Sequence, residues 1–260
     1  MLRISGGEIC GDGHSLFQVE GSRSGLLELT GVKLRHVPSP SRTEQRSQGA
    51  AIFVRGKGQL ALHDCNVRST SGFSLWLVQK ASAAVNGCDF PGGERSTAVA
   101  FEDASLVVTD SRFSDATPHA LCARGTASVV VRGCVIEGAA LRAIYCYHSA
   151  KLEVTDCHIA GTCSKETAAV QVDALRPGDS ATISLARTTF TRNLGGDLST
   201  TGNVQRSITC ACNERTEASG QQHAPFALRE RDPGFTSPDA RRREASRSPY
   251  DLWRPPGDDS

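Results

Sequence analysis

Leu60-Ala-Leu-His-Asp-Cys-Asn-Val67 returns as Ala83-Ala-Val-Asn-Gly-Cys-Asp-Phe90, Leu106-Val-Val-Thr-Asp-Ser-Arg-Phe113, Val129-Val-Val-Arg-Gly-Cys-Val-Ile136 and Leu152-Glu-Val-Thr-Asp-Cys-His-Ile159. The step is 23 residues each time, with no gap. Each phrase reads apolar-x-apolar-x-(Asp/Gly)-(Cys/Ser)-x-apolar, the alternation of a one-sided strand interrupted by a turn residue. A unit this short cannot bury an apolar face alone, so it must stack on its neighbours.

The same form extends outward. Leu27-Glu-Leu-Thr-Gly-Val-Lys-Leu34 lies 33 residues before Leu60, and the excess falls in the Pro/Ser/Arg stretch 38–48, which has the composition of a loop. Leu2-Arg-Ile-Ser-Gly-Gly-Glu-Ile9 fits 25 residues before Leu27, and Ile183-Ser-Leu-Ala-Arg-Thr-Thr-Phe190 fits 31 residues after Leu152. That gives eight coil starts, with a partial ninth at Arg206. A second strand recurs inside each coil: Ile52, Leu75, Ala98, Leu121 and Ile144, then Val54, Leu77, Ala100, Ala123 and Cys146. Strand, turn and strand every 23 residues leave no room for a helical crossover.

The pattern resembles the parallel β-helix repeats of the pectin-lyase-like superfamily, whose phrases run apolar-x-apolar-x-(Asn/Asp/Gly)-Cys-x-Ile. The resemblance implies an all-β, single-stranded parallel solenoid of about eight coils over residues 1–212, right-handed as parallel crossovers almost always are. Residues 213–260 are Pro-, Arg- and Ser-rich and are expected to form a disordered or loosely docked tail. In that tail Ser246 and Ser248 resemble kinase sites, and Phe226 and Trp253 are the residues able to fold back. Many members of the superfamily are carbohydrate-active lyases, hydrolases or epimerases. The Asn-Thr-Asp, Asp-Asp, Gly-His-Gly and Arg-Ile-Lys motifs of its polygalacturonase-type hydrolases do not occur in residues 1–212. Intracellular proteins with similar repeats, among them F-box proteins and signalling adaptors, use the β-helix as a recognition surface.

Charge is balanced, 29 Lys+Arg against 28 Asp+Glu, which argues against a nucleic-acid or membrane-surface footprint. No apolar run approaches the roughly 18 residues of a membrane span. Met1-Leu-Arg-Ile-Ser-Gly-Gly lacks the apolar core of a signal peptide, so a cytoplasmic or nuclear location is expected. Met1 falls at the start of a coil with no preceding segment to cover the open end, as expected of a piece cut from a longer chain.

Cys65, Cys88, Cys134 and Cys157 share one repeat position, with Ser111 in the remaining slot. Equivalent side chains on stacked coils stand about 4.8 Å apart, wider than the roughly 4.5 Å limit for a disulfide. A reduced, buried ladder follows, in which Cys134→Ala costs packing and Cys134→Ser costs more by burying a hydroxyl. A row of thiols does not converge on a metal, and Cys210-Ala-Cys212 with Cys163 or His223 is the best remaining set. No metal and no cofactor is expected, and no Gly-rich phosphate loop is present.

Asp64, Asp110 and Asp156 alternate with Gly87 and Gly133 at the turn position, where both residue types serve the backbone. His63, His119, His148 and His158 read as lone surface or edge histidines, so no catalytic set is assigned. The second strand is unusual on its outward side. Phe53, Trp76, Val99, Cys122 and Tyr145 form one row, and Arg55, Val78, Phe101, Arg124 and Tyr147 the next. The corresponding sites on the first strand are His63, Asn86, Thr109, Arg132 and Thr155, polar throughout. A solvated face should look like the latter. Phe53, Trp76, Val78, Phe101, Tyr145 and Tyr147 are therefore the expected interaction residues, covered by the 38–48 insertion, by the chain's own tail, or by a protein or peptide partner, the competing reading being a strand bulge that turns some of them inward. Carboxylates and amides that would bind sugar hydroxyls look sparse around them. The reading is a non-enzymatic interaction scaffold; the alternative is a carbohydrate-active enzyme or carbohydrate-binding module.

Overall fold

A computed structural model describes residues 1–12, 14–21, 25–37 and 49–212. The 38–48 insertion and the segment 213–260, with His223, Phe226, Ser246, Ser248 and Trp253, lie outside the described residues. The described chain is all-β, with three parallel sheets of nine, eight and eight strands. Each full coil gives one strand to each sheet; the third runs Gln59–His63, Asn66–Ser69 and Phe73–Leu77. A ninth strand in sheet 1, Val204–Ile208, begins the partial last coil. Two strands per coil are expected from the alternation, and the structure has three. The apolar residue that closes each phrase belongs to a separate short sheet beyond the turn, with strands such as Asp89–Pro91 and Arg112–Ser114.

Register follows the repeat. Leu60 pairs with Ala83, Ala83 with Leu106, Leu106 with Val129, and Val129 with Leu152. On sheet 3, Ile52 pairs with Leu75, Leu75 with Ala98, Ala98 with Leu121, and Leu121 with Ile144. Inward rows from all three sheets meet in one axial core. In sheet 2 the rings of Phe90 and Phe113 stack face to face, with centroids 4.8 Å apart. Both are fully buried, so replacing either by alanine removes contacts on two coils at once.

The corner between sheets 1 and 2 explains the middle of the repeat. Gly31, Asp64, Gly87, Asp110, Gly133, Asp156 and Arg187 all have positive φ, from 47° to 63°. The alternation of Asp with Gly has a steric cause as well. A Cβ on Gly87 would lie inside van der Waals contact of Asp64 Oδ1, and one on Gly133 would meet Asp110 Oδ1 in the same way. Asp64 and Asp110 thus fold over the glycine of the following coil, and Asp156 instead meets Arg187 there.

The next residue in the corner carries the thiol ladder. Cys65, Cys88, Cys134 and Cys157 are buried and free. Cys88 Sγ accepts from the Cys65 N–H at 3.3 Å and donates to the Asn86 carbonyl at 3.3 Å. Ser111 repeats this geometry, accepting from the Cys88 N–H at 3.0 Å and donating to the Thr109 carbonyl at 2.7 Å. The Ser111 hydroxyl thus closes a bond on each side, so this corner accommodates a serine without an orphaned group. At the third corner Gly58, Ala81, Ala104, Ala127 and Ala150 recur at the repeat spacing. Ala81 and Ala104 donate back to Val78 and Phe101 in tight turns where a larger side chain has no room.

Two outcomes follow, both read by urea unfolding. Gly87→Ala should destabilise by about 1–3 kcal/mol, and in an Asp64→Gly background that loss should shrink by at least about 0.5 kcal/mol; strict additivity would remove the steric account. Cys88→Ala should cost about 1–2 kcal/mol, while Cys88→Ser should cost less because it keeps both hydrogen bonds. A serine variant weaker than the alanine variant would refute the ladder's hydrogen-bonding role.

Candidate functional site

Sheet 3 presents two unlike regions on its outer side. Phe53, Trp76 and Val99 follow one another in register across the strands Ala50–Gly56, Phe73–Leu77 and Ala98–Glu102. Ser74 and Leu75 both donate to the Thr97 carbonyl, and this kink sets Phe73 against Trp76 with ring centroids 5.3 Å apart. Phe53 packs on the same indole at 4.9 Å. Trp76, Val78 and Phe101 are 3%, 2% and 8% exposed, and Phe53, Tyr145 and Tyr147 are half-buried. These six therefore occupy one outward face, and three of them are nearly inaccessible there.

The second region spans the strands His119–Gly125, Arg142–His148, Val170–Ala174 and Leu198–Gly202. Tyr145 pairs with Gln171 and Tyr147 with Asp173; Gln171 and Asp173 pair in turn with Ser199 and Thr201. The Arg142 guanidinium lies 4.4 Å from the centre of the Tyr145 ring, a cation–π contact. Its Nε donates to Gln171 Oε1 at 2.6 Å, and Gln171 Nε2 donates to Asp173 Oδ2 at 2.9 Å. Tyr145 and Tyr147 stack at 5.0 Å, and the His119 ring lies 5.3 Å from Tyr145.

Burial dominates the electrostatics of this cluster. It pushes the Asp173 carboxyl above its ordinary range, against the hydrogen bonds of Thr201, Gln171 and Tyr145 and the charge of Arg142. It pushes the Tyr145 phenol up, helped by Asp173, and the Cys122 thiol up to about 12. It holds His119 well below 6.5, with the Arg142 charge acting in the same direction. His119, expected at a surface or edge, is 3% exposed and packed against Tyr145, which corrects that expectation. Gln171 and Asp173 also correct the expectation that amides and carboxylates are sparse beside Tyr145.

Chemically, the cluster aligns donors and acceptors around one aromatic pair. Hydrolysis of a glycosidic bond needs two carboxyl groups about 5–9.5 Å apart. Asp173 is the carboxyl that these contacts tie into the cluster. Asp197, buried at the head of the next strand, is instead held by Asn193 Nδ2 at 2.9 Å. Cys210 and Cys212 pack partly buried against the core, and Cys163 is exposed. Among the described residues no three His, Cys, Asp or Glu side chains gather around a point that could hold a metal ion. No helix among them is long and apolar enough to cross a membrane.

Residues 16–193 match the family described as a right-handed β-helix region, and the chain belongs to that family. No curated protein and no solved structure matches it.

The buried imidazole makes stability depend on pH. His119 takes up a proton in the unfolded chain near its ordinary pKa of about 6.5, but in the fold only well below that value. The stability it permits is therefore fully present above about pH 6.5 and is lost as pH falls, by about 1.4 kcal/mol per pH unit at most. Urea midpoints between pH 6.5 and 5.0 should decline in the native protein and decline less in His119→Gln. Identical slopes would show that His119 does not control this window.

Proposed function

We propose that this β-helix is a non-enzymatic, intracellular recognition scaffold that receives a protein or peptide segment on the outer face of its third sheet. The contrast between faces carries the reading. Phe53, Trp76, Val78 and Phe101 stand together outside the axial core, whereas His63, Asn86, Thr109, Arg132 and Thr155 line the outer side of sheet 1. Aromatic and aliphatic side chains gathered on one face have the composition of an interface centre, where such anchors supply most of the binding energy. Six buried cysteines outside any disulfide, Cys65, Cys88, Cys122, Cys134, Cys146 and Cys157, support a reducing compartment.

A second reading, carbohydrate binding or turnover, draws support from the Arg142–Gln171–Asp173 relay beside Tyr145. A carboxyl raised by burial is a chemically suitable general acid. Polysaccharide turnover that saturates and disappears in Asp173→Asn would establish that reading and displace the scaffold.

Displayed random peptides selected on the full-length protein test the first reading. Trp76→Ala or Tyr145→Ala should weaken the selected peptides by about 2 kcal/mol, roughly 30-fold. Asn86→Lys, on the outer side of sheet 1, should leave them unchanged. A loss of about 3–5 kcal/mol in fold stability with unaltered peptide affinity would mark Trp76 as a packing residue and end the proposal.

A further inference from the structure

Arginines on the outer sides of sheets 1 and 2 meet a carboxylate from an adjacent coil: Arg3 with Glu28, Arg35 with Glu8, Arg112 with Glu137 and Arg132 with Glu153. Arg68 departs from this. It stacks in register on Arg35 of the coil before. On the coil after, Asn66 pairs with Asp89, which sets Pro91 beside Arg68. The exposed Arg68 side chain has no ion pair or hydrogen bond among the described residues. Its direction is fixed by its neighbours. Leu34, His36, Val67 and Ser69 are buried, so alternation sends Lys33, Arg35 and Val37 outward on the strand Lys33–Val37, and Asn66 and Arg68 outward on Asn66–Ser69.

Like charges directly opposite one another on a sheet repel. The backbones of Arg35 and Arg68 stand about 4.8 Å apart, and Lys33 lies roughly 7 Å from Arg35 along the strand. Glu8 Oε1 engages Arg35 Nε at 2.8 Å, and one carboxylate leaves most of a guanidinium's donors unused. The patch is also bounded. Glu8 and Asp12 pair with Lys33 and Val37 from the coil before, and Asp89 with Asn66 from the coil after. A nucleic acid or an anionic bilayer would run onto these carboxylates, whereas one compact anion fits between them. Val37, next to Arg35 on the same outward side, is 54% exposed and offers an apolar contact beside the cations.

We propose that Arg68, Arg35 and Lys33 bind the phosphoryl group of a phosphoserine or phosphothreonine in a partner peptide, with Val37 receiving an apolar side chain two residues away. A phosphoryl group brings roughly two negative charges and three acceptor oxygens, enough to offset two stacked guanidinium groups. Guanidinium forks match phosphate oxygens in pairs, which fixes orientation as well as charge. An unphosphorylated serine offers none of this, so binding here depends on the modification. Free phosphate satisfies the cations but leaves Val37 uncovered. Val37 and Arg35 are two residues apart on one side of an extended strand, about 7 Å, and an extended peptide presents alternate side chains at the same spacing. This site is separate from the aromatic face of sheet 3 and does not depend on it.

Fluorescein-labelled Ser/Gly peptides with one phosphoserine and a leucine two positions to either side supply the probe, and anisotropy with the full-length chain supplies the readout. The phosphopeptide should bind at least about tenfold more tightly than its serine counterpart and weaken as salt rises. Arg68→Glu should abolish that preference, while Lys151→Glu on sheet 1 should leave it unchanged. Replacing the leucines by glycine should weaken binding severalfold on the native protein and have little effect on Val37→Ser. In urea, without any phosphate compound, Arg68→Gln should unfold at the native midpoint or above it, because a repulsion is removed. A lower midpoint would mark Arg68 as a packing contact and overturn the proposal. Equal affinity for phosphorylated and unphosphorylated peptides would overturn it, as would full phosphopeptide affinity in Arg68→Glu. Inorganic phosphate competing as well as the phosphopeptide would reduce the patch to a simple anion site. Tighter binding of phosphatidylserine vesicles, lost in Arg68→Glu, would assign it to a membrane surface, and either result would end the peptide assignment.

Discussion

Parallel in-register stacking governs this molecule. Each backbone N–H and C=O within a coil is satisfied mainly by the coil before and the coil after, at a separation of about 4.8 Å. A side chain therefore has its equivalents in adjacent coils as permanent neighbours. A residue type suits its position only if it can lie against itself or against whatever alternates with it. This condition acts on inward rows, corners and outer faces alike.

At the corners the condition produces chemistry that looks functional in a one-dimensional list. A positive-φ turn accepts either Asp or Gly, but two aspartates stacked directly would bring like charges and crowded carboxylates together. Alternating Asp64, Gly87, Asp110, Gly133 and Asp156 resolves this: the carboxylates of Asp64 and Asp110 occupy the space above Gly87 and Gly133, and that of Asp156 pairs with Arg187 in the next coil. The thiols answer a different demand. The turn leaves a backbone N–H facing the next coil, and a small side chain with one donor and one acceptor closes the gap. Cysteine and serine both meet that specification, and Thr188 bonds to the Ala186 carbonyl in the same way one coil further on.

On outer faces the same stacking assembles extended surfaces from single residues. Sheet 1 uses it to present polar side chains, including exposed cross-coil ion pairs such as Arg132–Glu153, which contribute little to stability. Sheet 3 uses it to gather aromatics at one end and a relay of Arg142, Gln171 and Asp173 at the other. Rigid strands fix the spacing between the two, which is what a recognition surface for an extended segment requires.

The sequence by itself determined the coil boundaries, the register of sheets 1 and 3, and the outward placement of Phe53, Trp76, Phe101, Tyr145 and Tyr147. A fixed period of 23 converts position directly into neighbourhood, so these needed no coordinates. The ruler failed where the period breaks. Ile144 to Val170 is 26 residues and Val170 to Ile183 is 13, against 23 and 8 in the regular coils, so the extra residues flank the strand on both sides. Only the folded pairing places Gln171 and Asp173 beside Tyr145 and Tyr147. Sheet 2 escaped for another reason: strands of three residues are too short to show a periodicity apart from the turn before them. The burial of His119, and the interlocking of Asp64 with Gly87, are also decisions of the tertiary structure, because each depends on atoms meeting across coils rather than on the pattern within one.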